Sequence, residues 1–241
     1  MNNVKLPQKE HLILEDFINR LGGIYGDSLI SVILYGSAAS GEFAQKHSNI
    51  NLVAILRNTD LAELARSYNL LNSRSSRAIS CIFFTEDYVN RSTDTFPIEF
   101  LDMKENYAVL YGKDVLKDLI IDTKNLRFQC EHELKSKLIM IKRGYLTTRE
   151  RKSLEELLFK SFTSCLHIMR NLLRLKGKEP PYAKEMIISA LEKDFGVNTT
   201  VLSEILWAKN KGMRLNNKEI DSLLAGFVRE LESIVEKVDR L

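Results

Sequence analysis

Near residue 122 the apolar residues of this 241-residue chain change their spacing and do not change back. Beyond that point Leu126, Cys130, Leu134, Leu138, Ile141 and Tyr145 recur at helical intervals. So do Leu154, Leu157, Leu158, Phe162, Cys165, Met169 and Leu173, and later Ile220, Leu223, Leu224, Phe227, Leu231, Ile234 and Val238. Each series puts an apolar stripe along one side of a helix. Glu179-Pro180-Pro181 breaks the chain between helices, and shorter amphipathic pieces lie near Lys184 to Phe195 and Thr200 to Lys209. No strand pattern occurs in this half, which reads as an antiparallel helical bundle.

The first half mixes elements. A helix over about Lys9 to Leu21 places Leu12, Leu14, Phe17, Ile18 and Leu21 near helical spacing, and Gly22-Gly23 is expected to stop it. Leu29 to Tyr35 is a β-branched run of strand length, ended by Gly36. Asn51 to Leu56 and Ile79 to Phe84 read as further buried strands, with a helix from Asp60 to Leu71 between them. Pro97 to Met103 reads as a fourth strand, and Tyr107 to Tyr111, closed by Gly112, as a short fifth. Strands alternating with helices predict a mixed α/β sheet. Two domains are therefore expected, 1–120 and 121–241, with the boundary in the Asp118 to Lys124 stretch. That stretch is not rich in Pro or Gly, so the halves are expected to pack together.

Composition removes several function classes. A net charge of +3, with Lys and Arg scattered among nearly as many acids, gives no indication of nucleic-acid binding. No apolar run approaches the roughly 20 residues that span a bilayer. Met1 to Pro7 lacks the apolar stretch of a signal peptide, so a cytoplasmic protein is expected. Cys81, Cys130 and Cys165 are too widely spaced for a zinc site or a disulfide framework and read as free thiols.

The chemistry concentrates in one segment. Leu34-Tyr35-Gly36-Ser37-Ala38-Ala39-Ser40-Gly41 is followed by Ser48-Asn49-Ile50-Asn51-Leu52-Val53. A Gly-Ser pair that ends a strand and opens a helix turns backbone N–H groups outward, Gly permits close approach, and the Ser hydroxyl adds a donor for a phosphate oxygen. The loop lacks the Gly-Lys-Ser/Thr ending of a P-loop, and no GxGxxG follows a strand.

This array resembles the DNA polymerase β-like nucleotidyltransferase superfamily over about Ser31 to Leu56. The family's signature is an apolar strand, Gly-Ser, a helical turn with a further Gly, and a strand bearing Asp-x-Asp. The resemblance implies a nucleotidyltransferase-like α/β (α+β) mixed sheet followed by an all-α bundle. It also implies that Gly36, Ser37 and Ser48 hold the triphosphate of a nucleotide. Asn49 and Asn51 then occupy the seats of the two metal-binding aspartates. The family uses a third carboxylate on a neighbouring strand; Glu99 is the candidate for that catalytic seat, with Asp102 second. The helical half is similar to the bundle, of the HEPN type, attached to many bacterial nucleotidyltransferase-like proteins. Arg127 and His132 fall at the Arg-x4-His spacing of some HEPN ribonucleases, but His132 reads as a surface or interface residue.

Asn is a neutral amide and a poor ligand for a hard cation that prefers carboxylate oxygen. Two divalent ions beside a triphosphate need anionic protein ligands. The leading expectation is therefore a catalytically degenerate nucleotidyltransferase, a pseudoenzyme that acts by nucleotide or partner binding, with metal seats at Asn49 and Asn51 that do not ligate. One alternative is an active enzyme that uses Mg²⁺ and an NTP to modify a small-molecule, RNA or protein hydroxyl, with Glu99, Asp102 and Glu42 holding one metal. Another is an antitoxin-like or regulatory subunit whose bundle pairs with a protein partner or forms a homo-oligomer.

Other polar residues carry weaker signals. Lys46 and His47 precede the Asn49 strand and read as solvated loop residues. Arg143, Arg170 and Arg174 are candidates for steering an anion, with surface ion pairs as the plainer reading. His167 reads as structural beside Cys165 and Met169, and Trp207 as packing or a dimer contact.

Overall fold

The computed structural model describes residues 6–40 and 49–241. Its contacts divide the chain into two compact units, Met1–Asp122 and Thr123–Leu241.

The first unit is built on a four-stranded sheet: β1 Leu29–Tyr35, β2 Ile50–Leu56, β3 Ile79–Phe84 and β4 Tyr107–Gly112, in the order β3-β2-β1-β4. β1 is antiparallel to both neighbours, whereas β2 and β3 run parallel. The sheet is covered on both faces, so its strands are near-continuous apolar runs rather than alternating ones. On one face Val32, Leu34, Leu52, Ala54 and Leu56 pack with Leu14, Phe17, Ile18 and Leu21 of α1 (Gln8–Tyr25). On the other, Ile33, Val53 and Ile55 pack with Val89 of α5 (Glu86–Arg91) and with Phe100 and Met103 of α6 (Pro97–Glu105). Val115, Leu116 and Leu119, in the segment after β4, complete that core.

Three expectations are corrected. α1 runs through Gly22 and Gly23 to Tyr25, because Tyr25 is buried and its hydroxyl donates to the Glu63 carbonyl at 3.3 Å. Tertiary anchoring outweighs the glycines' weak helix propensity, on the order of 1 kcal/mol each. The helix expected from Asp60 to Leu71 splits into α3 (Leu61–Ala65) and α4 (Tyr68–Leu71), leaving Leu61 and Tyr68 exposed. Between them the Ser67 hydroxyl donates to the Leu64 carbonyl at 2.9 Å. Pro97 to Met103, expected as a strand, is helix α6. Pro97 sits in its first turn, where the absent N–H costs nothing, and Pro97, Phe100 and Met103 bury at the three-residue spacing of a helix.

The second unit contains α7 (Lys124–Thr147), α8 (Arg151–Leu175), α9 (Lys184–Phe195), α10 (Thr200–Asn210) and α11 (Asn217–Asp239). The three long apolar series supply its core through Leu126, Leu134, Leu158, Phe162, Phe227 and Leu231. Close helix approach is local and specific. A Cβ on Gly226 of α11 would lie 2.7 Å from a Val201 methyl of α10, and one on Gly144 of α7 would lie 2.9 Å from a Leu157 methyl of α8. α11 opens with a capping box: the Asn216 side chain accepts from the Glu219 N–H at 3.0 Å, and Glu219 accepts from the Asn216 N–H at 2.7 Å.

Candidate functional site

Strand register builds the site. Tyr35, the last residue of β1, pairs with Asn51 of β2 and with Tyr107 of β4. Asn51 pairs in turn with Ser80 of β3. Register partners share a sheet face, with strands about 4.8 Å apart. Ser80, Asn51, Tyr35 and Tyr107 therefore form one polar row across the sheet, and Tyr35 and Tyr107 pack against the core formed with α5 and α6. Asn49 precedes β2 and continues the alternation onto the Asn51 side. Asn49 and Ser80 are exposed, and Asn51 is half-buried.

The chain enters this row through Gly36, whose φ of +74° is the left-handed conformation that glycine adopts freely. Its N–H donates to the Asn106 carbonyl at 3.1 Å, and its own carbonyl accepts from Ala39 and Ser40 at 2.9 and 3.0 Å. These bonds close the single turn α2 (Ser37–Ser40), which places half-buried Ser37 beside the row. A Cβ on Gly36 would stand 3.5 Å from Asn51 Nδ2, in ordinary contact, so it is the left-handed φ rather than space that calls for glycine here.

Burial holds the Tyr35 phenol above its ordinary value, with Cys81 a second contribution. Burial likewise raises Tyr107, helped by Asp114, to whose Oδ2 its hydroxyl donates at 3.2 Å. The other Asp114 oxygen accepts from the Leu116 and Lys117 N–H groups at 3.1 and 3.0 Å, so this carboxylate is committed to a turn and a phenol.

Gly36, Ser37, Asn49 and Asn51 are thus gathered at one corner, while Ser48, Lys46, His47 and Glu42 lie outside the described residues. Glu99 does not sit on a strand. It is exposed in the first turn of α6, with half-buried Asp102 one turn on along the same side of the helix. The strand position beside Asn51 is Ser80, a residue the sequence reading passed over. Its place follows from the parallel pairing of Ile79-Ser80-Cys81-Ile82 with Ile50-Asn51-Leu52-Val53, which the structure supplies and the sequence does not.

A pair of divalent cations does not fit these donors. Amide and hydroxyl oxygens carry no charge to offset two dications and a triphosphate. Among the described residues, no group of three or more His, Cys, Asp or Glu side chains is arranged to hold a metal ion.

The residues read in the helical unit take other roles. Arg127 pairs with Glu131 at 2.9 Å and lies over the Phe128 ring at 4.2 Å, while His132 is exposed. Arg170 is buried, donates to the Pro180 and Pro181 carbonyls at 3.1 and 3.0 Å, and stacks on Tyr182. It pins the link between α8 and α9. Arg174 bonds the Asn171 side chain, and Arg143 is exposed. His167 is exposed although its chain neighbours Leu166 and Ile168 are buried, so it faces away from the core beside which it was expected. Trp207 is 57% exposed and lines a cavity of about 480 Å³ with Glu185, Glu192 and Asn210.

No family model and no curated protein matches this sequence significantly. Among solved structures, the chain is similar to the spectinomycin adenyltransferase AAD(9) from Enterococcus faecialis with ATP and spectinomycin, at a TM-score of 0.57 and 12% identity. The match covers 90% of this chain and 99% of that one. The fold is nucleotidyltransferase-like: a mixed α/β sheet domain followed by a helical bundle. Among the described residues no helix is long and apolar enough to cross a membrane.

Proposed function

We propose that this chain is a nucleotidyltransferase-fold protein that has lost metal-dependent nucleotidyl transfer and acts by binding a nucleotide at the Gly36–Asn51 corner. One observation carries the reading. Asn51 stands between Tyr35 and Ser80 in register; on this reading, amide and hydroxyl groups take the strand positions where the transfer chemistry calls for carboxylates. The left-handed Gly36 turn into Ser37 supports the reading as a strand-to-helix turn of the kind that can hold phosphate, and the similar adenyltransferase is a protein with ATP. Losing even an outer-shell partner of a metal ligand typically costs roughly 10–100-fold in activity, and changing the ligands themselves costs more.

The experiment pairs two assays on the purified chain: equilibrium binding of ATP, and release of pyrophosphate from ATP with Mg²⁺ over a panel of hydroxyl acceptors. Binding without pyrophosphate release is the expected result. Steady release that disappears in Glu99→Gln would instead establish the active enzyme in which Glu99 and Asp102 hold a metal.

A second reading, the interaction subunit, is favoured by one face of α7. Phe128, Ile139 and Leu146 are 62%, 69% and 78% exposed, and their spacings of 11 and 7 residues align them along the helix. Light scattering on the purified chain tests self-association through this face: a dimer that Ile139→Glu dissociates supports it, and a monomer at high concentration removes that form of it.

A further inference from the structure

We infer that the Gly36–Asn51 corner takes the phosphate of its ligand directly, without a divalent cation, through the Asn51, Asn49, Ser80 and Ser37 side chains acting as hydrogen-bond donors. The inference rests on the nucleotide-binding reading above and adds how the nucleotide is held.

A carboxylate only accepts hydrogen bonds, so beside a phosphate it repels unless a cation stands between them. An amide brings two N–H donors and a hydroxyl one O–H donor. Exchanging acceptors for donors reverses what the surface recognises. A row of carboxylates binds a metal and, through it, a phosphate; the same row made of Asn and Ser addresses phosphate oxygen itself. Here the exchange is coherent rather than scattered. Asn51 and Ser80 are register partners on parallel strands, and Asn49, just before β2, continues the same alternation. The Asn51 Nδ2 group lies beside the Gly36 turn, 3.5 Å from where a side chain there would begin. Asp114, the carboxylate that meets the row at Tyr107, is taken up by that hydroxyl and two backbone N–H groups. Asn49 and Ser80 are exposed, so an incoming anion can reach them.

The test is calorimetric titration of the full chain with ATP in EDTA and in Mg²⁺, with inorganic triphosphate as competitor. Affinity in EDTA equal to or better than that in Mg²⁺, together with displacement by triphosphate, is the expected result. Binding that is at least about tenfold tighter in Mg²⁺, or ATP that triphosphate cannot displace, overturns the inference while leaving nucleotide binding in place. No binding in either buffer overturns the nucleotide-binding reading itself. The triple variant Asn49→Asp, Asn51→Asp, Ser80→Glu supplies a second readout. Provided its circular dichroism is unchanged, it should lose about tenfold or more in EDTA affinity, as expected for charge-assisted bonds removed, and gain a Mn²⁺ signal by electron paramagnetic resonance. A folded triple variant that keeps its EDTA affinity contradicts the inference.

Discussion

Asn51 lies with its amide nitrogen 3.5 Å from the point where a Cβ on Gly36 would begin. The turn that ends β1 and the strand that returns beside it thereby come within ordinary van der Waals range of each other. The contact joins two features that the sequence holds 15 positions apart, the phosphate-type turn and the Asn-x-Asn strand.

Gly36→Ala tests that turn. The new methyl would meet Asn51 at ordinary van der Waals distance, so space does not forbid it; the φ of +74° does the damage. A left-handed non-glycine residue costs about 1–2 kcal/mol, which urea unfolding should register as a lower midpoint with unchanged slope. ATP binding should weaken by more than the loss of stability alone explains.

Gly112→Ala should be worse. Gly112 has a φ of +73°, and a Cβ there would lie 2.0 Å from the Ile30 carbonyl oxygen on β1. Backbone strain and a backbone clash combine to an expected loss of about 2–5 kcal/mol. Gly196→Ala provides the comparison: φ is +60°, nothing lies within 4 Å, and only the strain of about 1–2 kcal/mol should appear.

Glu230 ties α11 to the start of α10, accepting from the Val201 and Leu202 N–H groups at 2.9 and 3.0 Å. Glu230→Ala should cost about 2 kcal/mol, since it strands helix N-terminal donors that the fold buries. Burial, the larger influence, raises this carboxyl above the usual glutamate value, and the two backbone donors oppose it. The folded state then holds the proton more tightly than the unfolded chain does. This group's contribution is accordingly present below the unfolded value and is lost as pH rises through the raised folded value. Glu230→Gln should flatten that part of a stability profile measured by urea unfolding across the carboxylate range.

Burial pushes both the Cys81 and Cys165 thiols up to about 12. Neither forms thiolate at neutral pH, so iodoacetamide should leave both unmodified in the folded protein and alkylate them in urea. Mass spectrometry of the labelled peptides checks this; rapid native labelling of Cys165 would contradict its place in the bundle core.

The helical unit was legible because its apolar stripes persist over many turns, and all three long series became α7, α8 and α11. β1 and β3 were equally plain, being continuous apolar runs of strand length. Pro97 to Met103 was not, since seven residues that mix apolar side chains with Glu99 and Asp102 are too short to show a decisive period, and packing beneath Phe100 and Met103 selects the helix. At the site, Gly36, Ser37, Asn49 and Asn51 stood out by type and spacing. Ser80 did not, because its place beside Asn51 depends on which strands pair and in what register. That is a long-range property, and a lone serine in an apolar strand does not announce it.

The central claim is that neutral donors replace metal-bound carboxylates along the row of Asn49, Asn51 and Ser80. A crystal of this chain soaked with ATP and Mn²⁺, with data collected at the manganese edge, tests it most directly. The account predicts nucleotide density with its phosphates against these side chains and no anomalous peak among them. Two manganese peaks seated between residues 49, 51 and 80 beside the triphosphate would contradict it.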